Sequence, residues 1–535
     1  MRVGNPLFGQ ELFLACVVDV PLGRAGAAVT RRRGPQFGAR AAASRTSHRE
    51  NPSRLRVSPN YREDQRMRTP ALLVFVFALA VPSPAQVEVP ETPAGRQFTR
   101  WFDLFNRGEK KPLEDFLEAN HPSGRARAMQ FRDMTGGFDL VKVEDASAPT
   151  KLAGIVKERD SSTYGRFELE VEAAEPHKFS GFRINVIPRP ADIPPPPRLT
   201  EEEAITLLRS TIEKAVAADR FSGAVALAKG GKTVFSGAWG LADRERKEPN
   251  RVDTRFRIGS MNKMFTAVAT AQLAQAGKLA FTDSLGTHLT EYPNHDVASK
   301  VTIHHLLTHT GGTGDIFGPQ FEEKRKELRE LADYLALYGE RALQFEPGSR
   351  WSYSNYGFLL LGLLVEKVGG QSYYEYVRKN VFEPAAMTRT DSLAENEDVP
   401  GRSTGYMRSP DGWKPNTDTL PWRGTSAGGG YSTVEDLVRF AQALLGHKLL
   451  DGKHTELVTT GKVATRGESS KYAYGFFDTV ADGVRWFGHG GGAPGMNGEL
   501  RIYPDSGYIV AVLVNLDPPA ASRIADALGE RLPAK

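Results

Sequence analysis

The chain of 535 residues holds a single cysteine, Cys16. That excludes a disulfide framework and a cluster of thiolates around a metal. Long hydrophobic runs are scarce too. The apolar segment Ala71–Val81 is eleven residues long, short of the roughly 20 that a membrane-spanning helix needs. No glycine-rich phosphate loop and no dinucleotide fingerprint occurs, so nothing points to a nucleotide cofactor. Lysine is missing from residues 1–66, which carry twelve arginines, although both cations are used freely elsewhere. What remains is ordinary: 40% hydrophobic and 25% charged residues give enough apolar material for a large core and exclude a disordered or fibrous chain. The length predicts two or three units.

The segment from Met67 has the three parts of a secretory signal. A short positive start, Met67-Arg68-Thr69-Pro70, precedes the apolar run, and Ser83 and Ala85 stand at the −3 and −1 positions of a cleavage site. A signal works only at the start of a chain. Residues 1–66 are therefore read as translated upstream sequence, 67–85 as the signal peptide and Gln86 as the mature start. The rival reading of the arginine-rich stretch is a basic nucleic-acid-binding arm. Without these residues 56 basic and 59 acidic groups remain, a net charge of −3. The basic pI of the full chain then implies no nucleic-acid partner, and Cys16 is lost as a nucleophile or ligand. The expected location is periplasmic or secreted, with no integral membrane segment after cleavage.

A proline run, Pro194–Pro197, reads as a stiff linker, residues 194–199, between two domains. Before it, Phe98, Trp101, Phe102 and Phe105 recur at helical spacing, and Leu113, Phe116 and Leu117 mark a second helix. Phe167, Leu169 and Val171 alternate with charged residues as a half-buried strand, and Phe182, Ile184 and Val186 repeat the pattern. After it, Thr200 and Glu203 form a capping box for a helix with Ile205, Leu208, Ile212 and Val216 on one face. Strands follow at 222–228 and 233–239. The chain closes with a hairpin, 498–503 and 508–516, and an apolar helix. A sheet drawing strands from both ends of residues 200–535, with helices between, makes the fold class α+β.

Ser260-Met261-Asn262-Lys263 opens a helical stretch, so Lys263 lies one turn beyond Ser260 on the same face. The helix start supplies free N–H groups near the serine, where an oxyanion would form. A serine hydroxyl needs a base, and a lysine serves only if desolvation or nearby positive charge lowers its pKa. Further along come Tyr353-Ser354-Asn355 and, after the strand-like Val484–Phe487, His489-Gly490-Gly491-Gly492. A tyrosine beside a lysine can shuttle protons as phenolate, and an Asn can hold both a lysine and a substrate amide. Glycines at a strand edge let a substrate carbonyl reach backbone N–H groups.

S-x-x-K, Y-x-N and H-x-G in this order resemble the serine β-lactamase-like family, which includes class C β-lactamases, D-alanyl-D-alanine carboxypeptidases and related esterases. The resemblance extends through Val301–Gly311, Leu359–Gly369 and Gly428–Thr433 and covers roughly residues 200–533. It implies a β-lactamase/transpeptidase-like fold and a catalytic set of Ser260, Lys263 and Tyr353, working without metal or cofactor. Asn355, His489, Gly491 and Gly492 fall on the substrate-binding positions, with the N–H groups of Ser260 and Gly492 as oxyanion hole. His489 replaces the lysine of many β-lactamases, and a neutral imidazole attracts a carboxylate less strongly. Residues 86–193, helices before an antiparallel sheet, resemble the NTF2-like (SnoaL-like) fold and are read as an accessory domain.

The expected activity is acyl transfer to water through an acyl-serine, on a D-alanyl peptide, a β-lactam or a small ester. The alternative is a penicillin-binding or ligand-binding sensor that turns over poorly. Gly424–Gly428 matches the G-x-S-x-G elbow of α/β-hydrolases, but Thr419–Arg423 is a poor strand, so Ser426 is not expected to be a nucleophile. His304, His305 and His309 lack the glutamate of a zinc helix and are read as buried or capping residues.

Overall fold

The computed structural model describes residues 87–409, 411–465 and 469–534. The signal segment and the arginine-rich stretch lie outside the described residues. The N-terminal part begins with α1 (Pro93–Arg107), α2 (Lys110–Asn120) and α3 (Arg125–Thr135). Four antiparallel strands follow, β1 (Phe138–Asp145), β2 (Lys151–Glu158), β3 (Tyr164–Val171) and β4 (Phe179–Ile187), in that order across the sheet. The Thr92 hydroxyl caps α1 by accepting from the N–H of Gly95 at 3.1 Å. The aromatic stripe of α1 packs onto the sheet, Phe98 stacking on Phe167 at 4.3 Å and Trp101 meeting Phe182 edge-on at 4.6 Å. Phe167, Leu169 and Val171 are buried as their alternation predicts. Val186 is 53% exposed, so the inward pattern of β4 stops at Ile184, two residues short of the sequence reading.

Arg198 and Leu199, which end the proline segment, already bond to the far end of the chain. The Arg198 guanidinium donates to the Leu532 carbonyl at 3.0 Å and the Leu199 N–H to that of Arg531 at 2.8 Å. The capping box then forms as read from Thr200 and Glu203, opening α4 (Glu201–Ala217).

The second part is built on an eight-stranded antiparallel sheet. Its strands are β5 (Gly223–Lys229), β6 (Lys232–Trp239), β7 (Val463–Ala464), β8 (Ser470–Tyr472), β9 (Phe477–Ala481), β10 (Val484–Ala493), β11 (Met496–Tyr503) and β12 (Tyr508–Val514). The order is β7-β8-β9-β10-β11-β12-β5-β6, so the last strand pairs with the first, Val512 opposite Val225. Every residue of β12 is buried because helices cover both faces. Val510, Val512 and Val514 point into a core with Leu208 and Ile212 of α4 and with Ile524 and Leu528 of the closing helix, Ala520–Leu528. Ile509, Ala511 and Leu513 point the other way, into a larger core.

That larger core holds α5 (Asn262–Gln275) and α6 (Asn355–Gly369), which pack against each other and are apolar nearly all round. Lys263 at the start of α5 and Asn355 at the start of α6 are therefore carried to the same buried place. No helix among the described residues is long and apolar enough to cross a membrane.

Candidate active site

Ser260 lies in a single 3-10 turn, Gly259–Met261, between the short strand Phe256–Arg257 and α5. Gly259 adopts φ 53°, and a Cβ there would stand 2.8 Å from the backbone nitrogen of Gly492. Glycine is needed for both the turn and the approach. Gly491 is pressed just as closely on the Ile258 carbonyl. On the other side the Gly259 carbonyl accepts from the N–H of Gly429 at 3.1 Å, and the N–H of Ile258 donates to the Gly430 carbonyl at 2.8 Å. The nucleophile candidate is thus clamped between β10 and the Gly428–Gly430 segment, with its backbone beside that of Gly492.

Lys263 is fully buried. Its Nζ donates to Asn355 Oδ1 at 2.7 Å and to the Ala427 carbonyl at 2.6 Å, and Ser260 Oγ lies 3.4 Å away. Desolvation pushes its pKa down to about 7, against the pull of the nearby Asp315 carboxylate. The geometry suits a neutral amine. Two N–H bonds are taken by fixed acceptors, and the remaining tetrahedral direction, where the lone pair would lie, leads to the Ser260 hydroxyl. The Tyr353 ring sits 4.7 Å from the same Nζ. Burial pushes the Tyr353 phenol well above its ordinary value, with hydrogen bonding to Ser260 opposing only part of that. A resting phenolate, which the sequence reading allowed, is therefore disfavoured.

Asn355 is turned toward the protein. Besides holding Lys263, its Nδ2 donates to Asp315 Oδ2 at 3.2 Å and its backbone N–H to Asp315 Oδ1 at 2.8 Å. The Ser354 hydroxyl caps α6, accepting from Gly357 N–H at 2.9 Å, and itself donates to the Gly314 carbonyl at 2.5 Å. His489, on β10, is 3% exposed. Its Nε2 meets the Tyr472 hydroxyl at 3.0 Å and its Nδ1 the Gly490 carbonyl at 2.5 Å. Burial and the nearby Lys263 push its pKa down to about 3. A neutral ring with Nδ1–H donating to the carbonyl and Nε2 accepting from Tyr472 satisfies both contacts.

The remaining histidines and the second serine have other surroundings. Ser426 is fully buried against α6, where a Cβ on Gly362 would meet its Oγ, and the bridge Thr425–Gly428 replaces the strand that an elbow requires. The neighbouring Ala427 carbonyl, however, is a partner of Lys263. His305 completes a capping box with Thr302, and His304 bonds the Tyr474 hydroxyl at 2.8 Å. Reading the sequence missed Asp315, which follows a run of glycines and threonine that resembles plain loop and stands 40 residues ahead of its partner Asn355.

The comparisons with known proteins concern the family and the fold. The family model described as Beta-lactamase matches residues 208–535. Penicillin-binding protein 4* of Bacillus subtilis (strain 168) is 28% identical over 313 residues, covering 55% of this chain and 68% of that protein. The crystal structure of a penicillin binding protein from Bacillus halodurans shares 36% identity at a TM-score of 0.55, over 59% of this chain and 98% of that one. A D-stereospecific amidohydrolase from Streptomyces sp. aligns at 27% identity and a TM-score of 0.53, over 60% and 97% of the two chains. Sheet, buried lysine and family model lead to one conclusion: the chain belongs to the β-lactamase family and is a serine hydrolase of the β-lactamase/transpeptidase-like fold.

Proposed function

We propose that Ser260 is the nucleophile, Lys263 its general base and Tyr353 the hydroxyl that relays or hydrogen-bonds the moving proton. The carrying observation is the placement of Lys263 Nζ, whose two N–H bonds are spent on Asn355 and Ala427 while Ser260 Oγ occupies the third direction. Ser260 Oγ adds to the acyl carbon as its proton passes to the Lys263 amine, and the carbonyl oxygen becomes an anion held by the N–H groups of Ser260 and Gly492. The ammonium then protonates the leaving amine or alcohol, which departs as the acyl-serine forms. Water, losing a proton to the regenerated amine, adds to the acyl-serine. The acid leaves, and Ser260 recovers its proton.

The substrate is a D-amino-acyl amide or ester whose leaving side carries no free carboxylate. Both nitrogens of His489 are engaged within the protein and its ring stays neutral, so it offers no cation for a terminal carboxylate. The likeness to a D-stereospecific amidohydrolase supports the D configuration. The second reading, a penicillin-binding protein that holds its acyl group, draws on the likeness to penicillin-binding protein 4*. Steady-state hydrolysis of D-alanine p-nitroanilide, its L-isomer and a D-alanyl-D-alanine peptide separates them. Turnover of the first alone supports the amidase; an adduct by intact mass with no turnover of any supports the sensor.

Ser260→Ala is expected to abolish labelling by a fluorophosphonate, whereas Ser426→Ala keeps it as long as the protein folds. An adduct mapped to Ser426 would overturn the assignment. Export is part of the same proposal, on the signal pattern of residues 67–85: the secreted protein should begin at Gln86, and a mature chain retaining residues 1–66 would refute it.

A further inference from the structure

His309 plays no part in the chemistry above, yet it brackets a residue that does. It follows the short helix Ile303–Leu307, adopts φ 58° and is buried. Its carbonyl accepts from the N–H of Ser352 at 2.8 Å, and its ring Nδ1 accepts from the N–H of Ser354 at 3.1 Å. Tyr353 lies between these two anchors, and its ring faces the His309 ring with centroids 4.2 Å apart. Phe358 and Tyr472 close round the imidazole, at 5.0 and 4.5 Å.

The chemistry of the ring excludes a direct role. Because Nδ1 accepts an N–H bond it carries no proton, so the ring is the neutral tautomer with its hydrogen on Nε2. Burial, first of all, and the neighbouring basic groups Lys263 and His489, which disfavour a further positive charge beside them, hold its pKa well below the ordinary histidine value, which keeps it neutral. The only lone pair that could act as a base is spent on Ser354. Packing alone does not explain the choice either. Nε2 is buried with no hydrogen-bond partner among the described residues, and an unpaired buried N–H costs free energy that an apolar ring of the same size would avoid. What the imidazole supplies and a phenyl ring lacks is the acceptor for Ser354.

We infer that His309 is a positioning residue: by holding Ser352 and Ser354 it sets the Tyr353 phenol against Ser260 and Lys263. The inference rests on the catalytic reading of Tyr353. The test uses the full mature chain and the rate of acyl-adduct formation with a p-nitrophenyl ester. His309→Phe keeps a ring but removes the acceptor. His309→Asn keeps an acceptor and tolerates the left-handed backbone. A displacement of about 1 Å in a catalytic group costs up to about 100-fold in rate. His309→Phe is thus expected to lower kcat about 10- to 100-fold with KM within about threefold, while His309→Asn loses less than about fivefold.

In a Tyr353→Phe background, His309→Phe should change the rate by less than about twofold, because the residue it positions has already lost its hydroxyl. Full additivity in that background, or a folded His309→Phe with wild-type kcat, overturns the inference. If His309→Phe does not fold, as judged by circular dichroism, His309→Gln, whose acceptor is displaced, takes its place in the same cycle. Failure of the catalytic reading itself shows separately, as a Tyr353→Phe variant with unaltered kcat.

Discussion

At the scale of single residues, the decisive quantity is the protonation of Lys263. Its folded pKa lies near 7 against an ordinary 10.5, through burial. The amine is the active form, so log(kcat/KM) should climb with pH along an acid limb centred near 7. Lys263→Ala should acylate slowly and lose that limb, as a pH profile of adduct formation would reveal. Stability carries the same sign. Because the folded pKa is depressed, the unfolded chain binds the extra proton between about 7 and 10.5, so the Lys263 contribution rises with pH through that window. Melting temperatures of wild type and Lys263→Met across pH 7 to 10 should therefore diverge in slope, the variant being flatter. The sequence nominated Ser260, Lys263, Tyr353, Asn355 and His489 through short patterns and the family resemblance they carry, and the structure brings them together. Asp315 and the role of His309 could not be read from the sequence. Their partners are backbone N–H groups 40 and 45 residues away, and no spacing records such a pairing.

At the scale of elements, the strand-to-helix turn around Gly259 decides whether the serine meets the strand that serves it. Gly259→Ala adds a Cβ 2.8 Å from Gly492 N at a left-handed φ, and the strain of such a position is of order 1–3 kcal/mol. The variant should lose stability of about that size in denaturant titration and lose kcat as well, because the Ser260 and Gly492 N–H groups proposed as the oxyanion hole are forced apart. A variant with lower stability but unchanged kcat would show that the approach serves folding alone. Helix starts were legible wherever a Thr or Ser cap marked them, as at Thr200. The extent of β10 was less so. Its apolar start at Val484–Phe487 stood out, but the strand runs on through His489–Ala493, where glycine disfavours strand by itself and the pairing with β11 overrides that preference.

At the scale of the whole molecule, the N-terminal helices and sheet meet the catalytic part through charged groups. Arg220 pairs with Asp160 and donates to the Asp133 carbonyl at 3.1 Å, Arg523 reaches Glu158 at 3.3 Å, and Arg189 pairs with Asp482. The Arg220–Asp160 pair is partly exposed and weakens in salt. Glu158 is buried beneath Arg523, so a cut that removes the N-terminal part takes Glu158 away and returns Arg523 to water. Each side has its own hydrophobic core. A chain beginning at Pro197 keeps Arg198 and Leu199 on their C-terminal carbonyls. It should retain activity on small substrates within about twofold and lose only a few degrees in melting temperature. An insoluble or inactive product would show that the interface is essential. The proline segment is where the sequence reading divides the chain, whereas the partners across it, single charges far apart in sequence, could not be read.

The pairing of β12 with β5 also has a consequence in time. The strand that emerges first, Gly223–Lys229, waits for one completed nearly three hundred residues later, since Val225 has Val512 as its neighbour. During synthesis the sheet is open at its centre, and the apolar faces that α5 and α6 do not bury against each other lack the finished sheet to close on. Contacts this remote must meet the cost of closing a long loop before they contribute anything. A ribosome-bound chain ending at Pro504 should therefore be cut readily by protease and take up no serine-directed label, while the complete chain resists and reacts. The candidate catalytic centre would come into being only after translation ends, so the unfinished polypeptide carries no assembled site for as long as it stays on the ribosome.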